Sequence, residues 1–191
     1  QVLLLGGLGS MSKFGQVLTV FVPLMLCSAG LLVPFTARRW NSGIEGQVVL
    51  GASSCTGARM PFDQGGPAHV VLALGAGMLG GALWALLAGV LKTWGRVHEI
   101  FSGLGLNFVA MGLTIWLIFG PWKRPGVASM SGTETLDVSL WLDRMGRLAS
   151  SWTALALAAA ALVLVAVLLT RTQWGLGLKA VGQNPKAARL F

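Results

Sequence analysis

The chain has 191 residues, of which 54% are hydrophobic and only 10% are charged, and its mean hydropathy is +0.73. Soluble domains carry about a quarter charged residues, so this composition indicates an integral membrane protein. The formal net charge of +8 does not indicate nucleic-acid binding, because the basic residues lie between apolar stretches and form no cluster with aromatic residues.

Five stretches without charged residues predict the membrane-embedded helices. In chain order they are 14–37, 46–58, 70–91, 100–122 and 148–170. Four are long enough to span a bilayer, which needs about 20 apolar residues. The second is too short for a simple span and predicts a broken, tilted or re-entrant helix. We therefore expect an all-α, polytopic transmembrane helix bundle, with 1–191 as a single membrane domain.

The stretch 70–91 carries a face of small residues, spaced four apart. They are Ala73, Gly77, Gly81, Ala85 and Gly89. In lipid such a face lets a second helix approach closely, so it predicts a helix-packing surface.

The basic residues predict the orientation in the membrane. If the basic segment 171–191 is cytoplasmic, alternation places Arg38, Arg39 and the loop 92–99 inside and the long loop 121–147 outside. The basic residues of the long loop argue for the opposite orientation, so the charge preference is modest.

Polar residues at membrane depth are the candidates for function. An ionised group at the bilayer centre costs about 3 kcal/mol even on the lenient scale, so it faces a protein interior or a watery path. Asn41, Glu45 and Gln47 lie together around Gly43 and Gly46, which predicts a polar cluster at a broken helix.

Structural roles compete with this interpretation. Glu45 could pair with Arg38 or Arg39, or act as an acid at a helix N-terminus. Asn107 suits an interhelical hydrogen bond as well as it suits a pathway. Glu99 shares one helix face with Asn107, and for Glu99 we favour a role as a first-turn acid.

The sequence contains no motif for catalysis or for metal binding. His69 and His98 lie at opposite ends of one predicted span, and no nucleophile elbow or phosphate-loop pattern occurs. We expect no metal site and no enzyme activity, and any ATP must be bound and hydrolysed by another chain.

The basic tail predicts one further helix. Asn184 suits an N-cap and Pro185 the first helical position, so a short helix is expected to start at Pro185. It would either rest on lipid headgroups or dock on a cytoplasmic partner.

Four motifs occur in order, NSGIEGQVVLGA, VHEIFSGLGLNFVA, GPWKRPG and TQWGLGLKAVGQNPKAA. Over 9–191 the chain resembles permease subunits of ABC importers for nucleosides and simple sugars, which are related to ribose and branched-chain amino-acid permeases. Ser42 stands where the family carries Ile.

The resemblance implies that the chain is a fragment of a larger permease in the bacterial cytoplasmic (inner) membrane. Its partners would be an ABC ATPase subunit, a second permease subunit and an extracytoplasmic solute-binding protein. Asn41, Glu45, Gln47 and Asn107 would line the path or the helix break. A coupling helix at 182–190, within the cytoplasmic segment 171–191, would contact the ATPase through Gly182, Asn184, Pro185, Lys186, Ala187 and Ala188.

Two other functions fit the residues less well. An ion-coupled secondary transporter or channel would use Glu45 as an ion or proton site without an ATPase. A membrane scaffold would use the small-residue face for helix association alone. The solute itself cannot be read from these residues, and nucleosides rank slightly ahead of sugars only by resemblance.

Overall fold

The computed structural model describes residues 10–60, 66–124, 126, 132–133 and 151–184. Within that part of the chain the regular elements are helices, which confirms the predicted all-α class, and one isolated antiparallel bridge joins Lys123 to Thr133. In chain order the helices are α1 (Met11–Thr36), α2 (Ile44–Arg59), α3 (Pro67–Thr93), α4 (Glu99–Phe119), α5 (Trp152–Arg171) and α6 (Gln173–Gln183).

Among the described residues, four helices are long and apolar enough to cross a membrane, namely α1, α3, α4 and α5. They overlap the four long predicted spans, and the 16-residue α2 corresponds to the short stretch 46–58. Helix α4 ends at Phe119, before the predicted limit at 122, because Pro121 cannot continue a helix and restricts Gly120 before it. The predicted start of the last span, 148–150, lies outside the described residues.

The chain, predicted as a single domain, divides into two compact units. One contains α1, α5 and α6, and the other contains α2, α3 and α4. Each unit has its own pattern of helix contacts.

In the first unit, α1 continues through Pro23 and ends at Thr36, just after Pro34. The N–H of Arg39 donates to the carbonyl of Pro34 (2.9 Å) and that of Arg38 to Phe35 (3.0 Å), with Arg38 at φ 53°. This hydrogen-bond pair is a Schellman motif. Glycine usually holds the left-handed position of this motif, and a residue with a side chain there, such as Arg38, costs about 1 kcal/mol of conformational free energy.

A sharp turn at Thr172 separates α5 from α6. The Thr172 hydroxyl accepts from the N–H of Gly175 (3.3 Å) and donates to the carbonyl of Leu168 (2.6 Å). At its other end α6 packs on the end of α1, since a Cβ at Gly182 would lie 2.8 Å from the carbonyl oxygen of Thr36. Helix α6 therefore joins the C-terminal end of α5 to the C-terminal end of α1.

In the second unit, α2 and α3 pack closely and run antiparallel. A Cβ at Gly77 would lie 3.2 Å from the Gly51 carbonyl oxygen, and a Cβ at Gly81 would lie 3.3 Å from that of Gln47. The predicted small-residue face is confirmed at Gly77 and Gly81. At Gly89 no described atom lies within 4 Å of a Cβ, so packing there stays a prediction.

Helix α2 runs parallel to α4. The N–H of Gly46 donates to the Asn107 side chain (2.9 Å), and the hydroxyls of Ser53 and Thr114 lie 3.0 Å apart, both pairs being 61 residues apart in sequence. A constant offset means that both chains advance in the same direction. The N-terminal ends of α2 and α4 therefore lie at the same end of this unit.

Candidate functional site

The first turn of α2 carries the predicted polar cluster. Gly43 is the N-cap residue of α2 and offers no side chain to cap it. The first helical N–H groups need acceptors, because they have no partner within the helix. Asn107 on α4 supplies one, since its Oδ1 accepts from the N–H of Gly46 at 2.9 Å. A side chain from a distant helix therefore caps α2.

The amide group of Asn107 also donates on its other side. Its Nδ2 donates to the carbonyl oxygen of Ser42 (3.0 Å) and, more weakly, to Oε2 of Glu45 (3.5 Å). Asn107 is only 8% exposed, and burial makes each lost hydrogen bond costly. The interhelical hydrogen bond expected for Asn107 is therefore present, and its role in a pathway stays a prediction.

Gly46 lies inside α2, although the sequence analysis placed it in a broken backbone. A Cβ on Gly46 would lie 2.8 Å from Nε1 of Trp84 on α3 and 3.0 Å from Oδ1 of Asn107. Gly46 is needed because it leaves space for these two side chains to approach the helix, and it does not loosen the backbone. The helix break is instead the non-helical segment 37–43 between α1 and α2.

Trp84 is a site residue that the sequence analysis missed. Its Nε1 is buried and has no hydrogen-bond partner among the described residues. No local signal marks it, because its position beside Gly46 depends on how α2 and α3 are paired.

Asn41 and Gln47 form a reciprocal amide pair. The Nδ2 of Asn41 donates to Oε1 of Gln47, and Nε2 of Gln47 donates to Oδ1 of Asn41, both at 3.2 Å. This pair fastens the segment before α2 to the second turn of the helix. Glu45 is exposed within its unit, and its pairing with Arg38 or Arg39 stays a prediction.

Glu99 lies in the first turn of α4 and forms an ion pair with Lys92 at the end of α3. The carbonyl oxygens of Glu99 and Ile100 accept from the hydroxyl of Ser42, both at 3.3 Å. The preferred role for Glu99, a first-turn acid, is the one that the structure has. The sequence predicted no contact for Ser42, which stood out only as a departure from the family pattern.

The predicted coupling residues are only partly described. Gly182 belongs to the last turn of α6, and Asn184 ends that helix by donating its N–H to the carbonyl of Ala180 (2.9 Å). The predicted coupling helix 182–190 was therefore wrong at its first residue, because Gly182 belongs to α6 and packs on α1, while the ATPase contact of these residues stays a prediction. Asn184 is extended, as a residue before proline must be. The helix expected from Pro185, with Lys186, Ala187 and Ala188, lies outside the described residues.

The site contains hydrogen-bonding groups without a set of metal ligands. Among the described residues, no group of three or more His, Cys, Asp or Glu side chains is placed to hold a metal ion. What the arrangement can do is bind polar groups through amides and one carboxylate, within otherwise apolar helices.

The sequence was compared with those of known proteins. A family profile described as "Branched-chain amino acid transport system / permease component" matches residues 14–191. The glucose ABC transporter permease protein TsgB13 of Haloferax volcanii is 33% identical over 93% of this chain and 50% of its own length.

Two further similar proteins are named for nucleosides. The guanosine ABC transporter permease protein NupP of Bacillus subtilis is 24% identical over 96% of this chain and 53% of its own length. The nucleoside ABC transporter permease protein NupB of Lactococcus lactis is 25% identical over 97% of this chain and 53% of its own length. The chain thus spans about half the length of the curated relatives it matches. No solved structure matches the chain.

Proposed function

This chain belongs to the family of permease components of branched-chain amino acid transport systems, and from that premise we propose that it forms part of the permease subunit of an ATP-driven importer. It is a multi-pass α-helical membrane protein. The importer translocates a small polar solute by alternating access, and its membrane is the bacterial cytoplasmic membrane. This chain contributes the path and does no bond chemistry.

The observation that carries this proposal is the capping of α2 by Asn107. A buried amide joins α4 to the first turn of a helix too short to be a simple span. Glu45 and Asn41 lie beside this joint. Polar groups of this kind at the end of a discontinuous helix are where membrane transporters bind solutes.

For the solute we propose a nucleoside or a simple sugar. The similar proteins are named for glucose, guanosine and nucleosides. Both solute classes carry several hydroxyl groups, which amides and a carboxylate can bind by donating and accepting hydrogen bonds. Nucleosides come first in this proposal, because two of the three named relatives carry that word or a nucleoside's name.

The partners follow from the type of importer. An ATPase subunit binds and hydrolyses ATP, a second permease subunit completes the path, and an extracytoplasmic protein delivers the solute. The cytoplasmic segment 171–191 transmits the ATPase motion. Since Gly182 packs on α1, we assign the ATPase contact to Asn184, Pro185, Lys186, Ala187 and Ala188.

Uptake by the full-length transporter in proteoliposomes tests the energy source. Radiolabelled guanosine and glucose are offered with the native ATPase partner or with a partner unable to hydrolyse ATP. We expect uptake of at least one solute with the native partner only. Uptake that continues unchanged with the inactive partner would show that the protein is not an ATP-driven importer.

Glu45→Gln separates ATP-driven from ion-coupled transport. The glutamine amide keeps an oxygen that can accept hydrogen bonds from Asn107 and from a solute hydroxyl group, so we expect ATP-driven uptake to persist at a reduced rate. An ion-coupled transporter would lose uptake together with the ionisable group. The matched variant is Asn107→Ala, which removes the other partner of the contact between Glu45 and Asn107. We expect it to reduce uptake.

A bulky substitution at Ala188 tests the coupling segment. Ala188→Trp should reduce both co-purification of the ATPase and uptake, while the melting temperature stays at the native value. Gly182→Trp is the contrasting variant, and it should lower the melting temperature because it separates α6 from α1. Normal ATPase binding by Ala188→Trp would contradict the coupling assignment.

A further inference from the structure

One end of the unit formed by α1, α5 and α6 is basic. Arg38 and Arg39 follow α1, Arg171 ends α5, and Lys179 is exposed on α6. Because α6 joins the ends of α1 and α5, these basic residues belong to the same end of the unit. Neither described range of this unit, 10–40 or 151–184, contains an aspartate or a glutamate.

A cavity of about 400 Å³ lies at this end, lined by Phe35, Arg38, Arg39 and Trp40. It is open to the surface, so a bound group would stay in contact with its surroundings. The rings of Phe35 and Trp40 form an edge-to-face pair with centroids 5.8 Å apart, and Trp40 is 70% exposed. The cavity thus combines two guanidinium groups with an exposed aromatic wall.

Arg38 lines the cavity, and its backbone has an unfavourable conformation. It holds the left-handed position of the Schellman motif at φ 53°, where glycine would carry no steric cost. Among the described residues only one other non-glycine residue, Arg96, has a positive φ. Such an outlier is a reason to look for a role of the side chain.

We propose that this cavity binds the phosphate headgroup of an anionic phospholipid. Two adjacent guanidinium groups suit phosphate oxygens, which arginine binds in a fork geometry. Tryptophan favours the level of the headgroups, and clusters of basic residues at the end of a membrane helix attract anionic lipids. The rings of Phe35 and Trp40 are exposed, as is Leu32 on α1, and acyl chains can cover such apolar side chains whereas a soluble phosphate cannot.

Lipid retention by the full-length protein tests the proposal. The delipidated protein in detergent is titrated with phosphatidylglycerol or with phosphatidylcholine, and bound lipid is counted by native mass spectrometry. We expect Arg38→Gly to weaken phosphatidylglycerol binding about fivefold, and Arg38→Gly with Arg39→Gln about thirtyfold. Phosphatidylcholine binding should stay unchanged in each variant.

Arg38→Gly also separates binding from folding. Glycine fits the left-handed position better than arginine, so the melting temperature should stay equal or rise while lipid binding falls. Lys13→Gln is the matched control, since it removes one exposed charge from the opposite end of α1 and should leave lipid binding at the native level.

Three results would overturn the proposal. The first is native phosphatidylglycerol binding by the double variant, which would leave the cavity without a lipid role. The second is displacement of the lipid by inorganic phosphate at equal concentration, which would point to a soluble phosphate ligand. The third is unchanged lipid binding together with loss of the co-purifying ATPase, which would make this end a protein-docking surface.

Discussion

Asn107 shows how one buried amide can organise the N-terminus of a neighbouring helix. Its Oδ1 accepts from Gly46 and its Nδ2 donates to the carbonyl of Ser42, so both polar atoms of the amide are used. Gly43 has no side chain for this purpose. The start of α2 therefore depends on α4, through a side chain at 107 that both accepts and donates a hydrogen bond.

Removing this amide should destabilise the protein. Asn107→Ala leaves the N–H of Gly46 and the carbonyl of Ser42 without their partner, and we expect a loss of about 1–2 kcal/mol in the free energy of unfolding. Chemical denaturation in detergent measures it. Thr114→Val, which removes a hydroxyl from the same α2–α4 interface, should cost less, and an equal loss in both variants would contradict the capping role.

The space over Gly46 permits a second prediction at this scale. Gly46→Ala places a methyl group 2.8 Å from Nε1 of Trp84 and 3.3 Å from Cα of Asn107, so the overpacking should cost about 1–3 kcal/mol. Gly89→Ala on α3 is the control, since its methyl group meets no described atom within 4 Å. There the higher helix propensity of alanine should stabilise the protein by about 0.5–1 kcal/mol. Thermal melts of the two variants should therefore shift in opposite directions.

At the scale of whole helices, α2 packs on two neighbours by different means. Against α3 it uses small residues, so that the backbones of Gly51 and Gly77 touch. Against α4 it uses hydrogen bonds, from Gly46 to Asn107 and between Ser53 and Thr114. Van der Waals packing and interhelical hydrogen bonds are the two main attractions between helices in lipid, and this short helix uses both.

Cysteine cross-linking tests the α2–α3 crossing. A Cβ at Gly77 would lie 3.3 Å from Cβ of Cys55, close to the separation of about 3.5–4.5 Å found in disulfides. With Cys27 replaced by alanine, Gly77→Cys should lose both reactive thiols on mild oxidation. Gly75→Cys, on the same helix, has no described atom within 4 Å of its Cβ and should keep them. Equal loss of thiols in the two variants would disprove this pairing of α2 and α3.

At the scale of the whole molecule, each unit places particular chain segments at one end. In the first unit, Gly182 packs against Thr36 and so places the end of α6 beside Arg38. In the second, Ser42 bonds to the first residues of α4, beside the basic loop 92–99. The orientation predicted from charge, in which these segments are cytoplasmic, stays a prediction.

Labelling of single cysteines from one side of the membrane tests this orientation. Arg38→Cys and Lys179→Cys should react with a membrane-impermeant reagent from the same side, and Ser131→Cys, in the loop 121–147, from the other. The reason is the contact between the ends of α1 and α6, which leaves no membrane thickness between Arg38 and Lys179. Reaction of Arg38→Cys and Lys179→Cys from opposite sides would contradict both the contact and the orientation.

Much of this organisation could be predicted from the sequence, because it depends on local composition. The apolar stretches, the shortness of α2, the small-residue face of α3 and the local polar cluster of Asn41, Glu45 and Gln47 all follow from hydropathy and spacing. The cost of a polar group in lipid, together with the need of helix ends for acceptors, makes such patterns informative.

The tertiary structure alone decided how these residues are used. Asn107 reaches Gly46 across 61 residues and Ser42 across 65, and Trp84 meets Gly46 from a third helix. Gly46 leaves space for the side chains of Asn107 and Trp84, and Gly182 leaves space for the end of α1. Local reasoning had assigned Gly46 to a helix break and Gly182 to a coupling helix. Periodicity within one segment carries no information on which segments pair, because pairing depends on shape and hydrogen bonding between residues far apart in the chain.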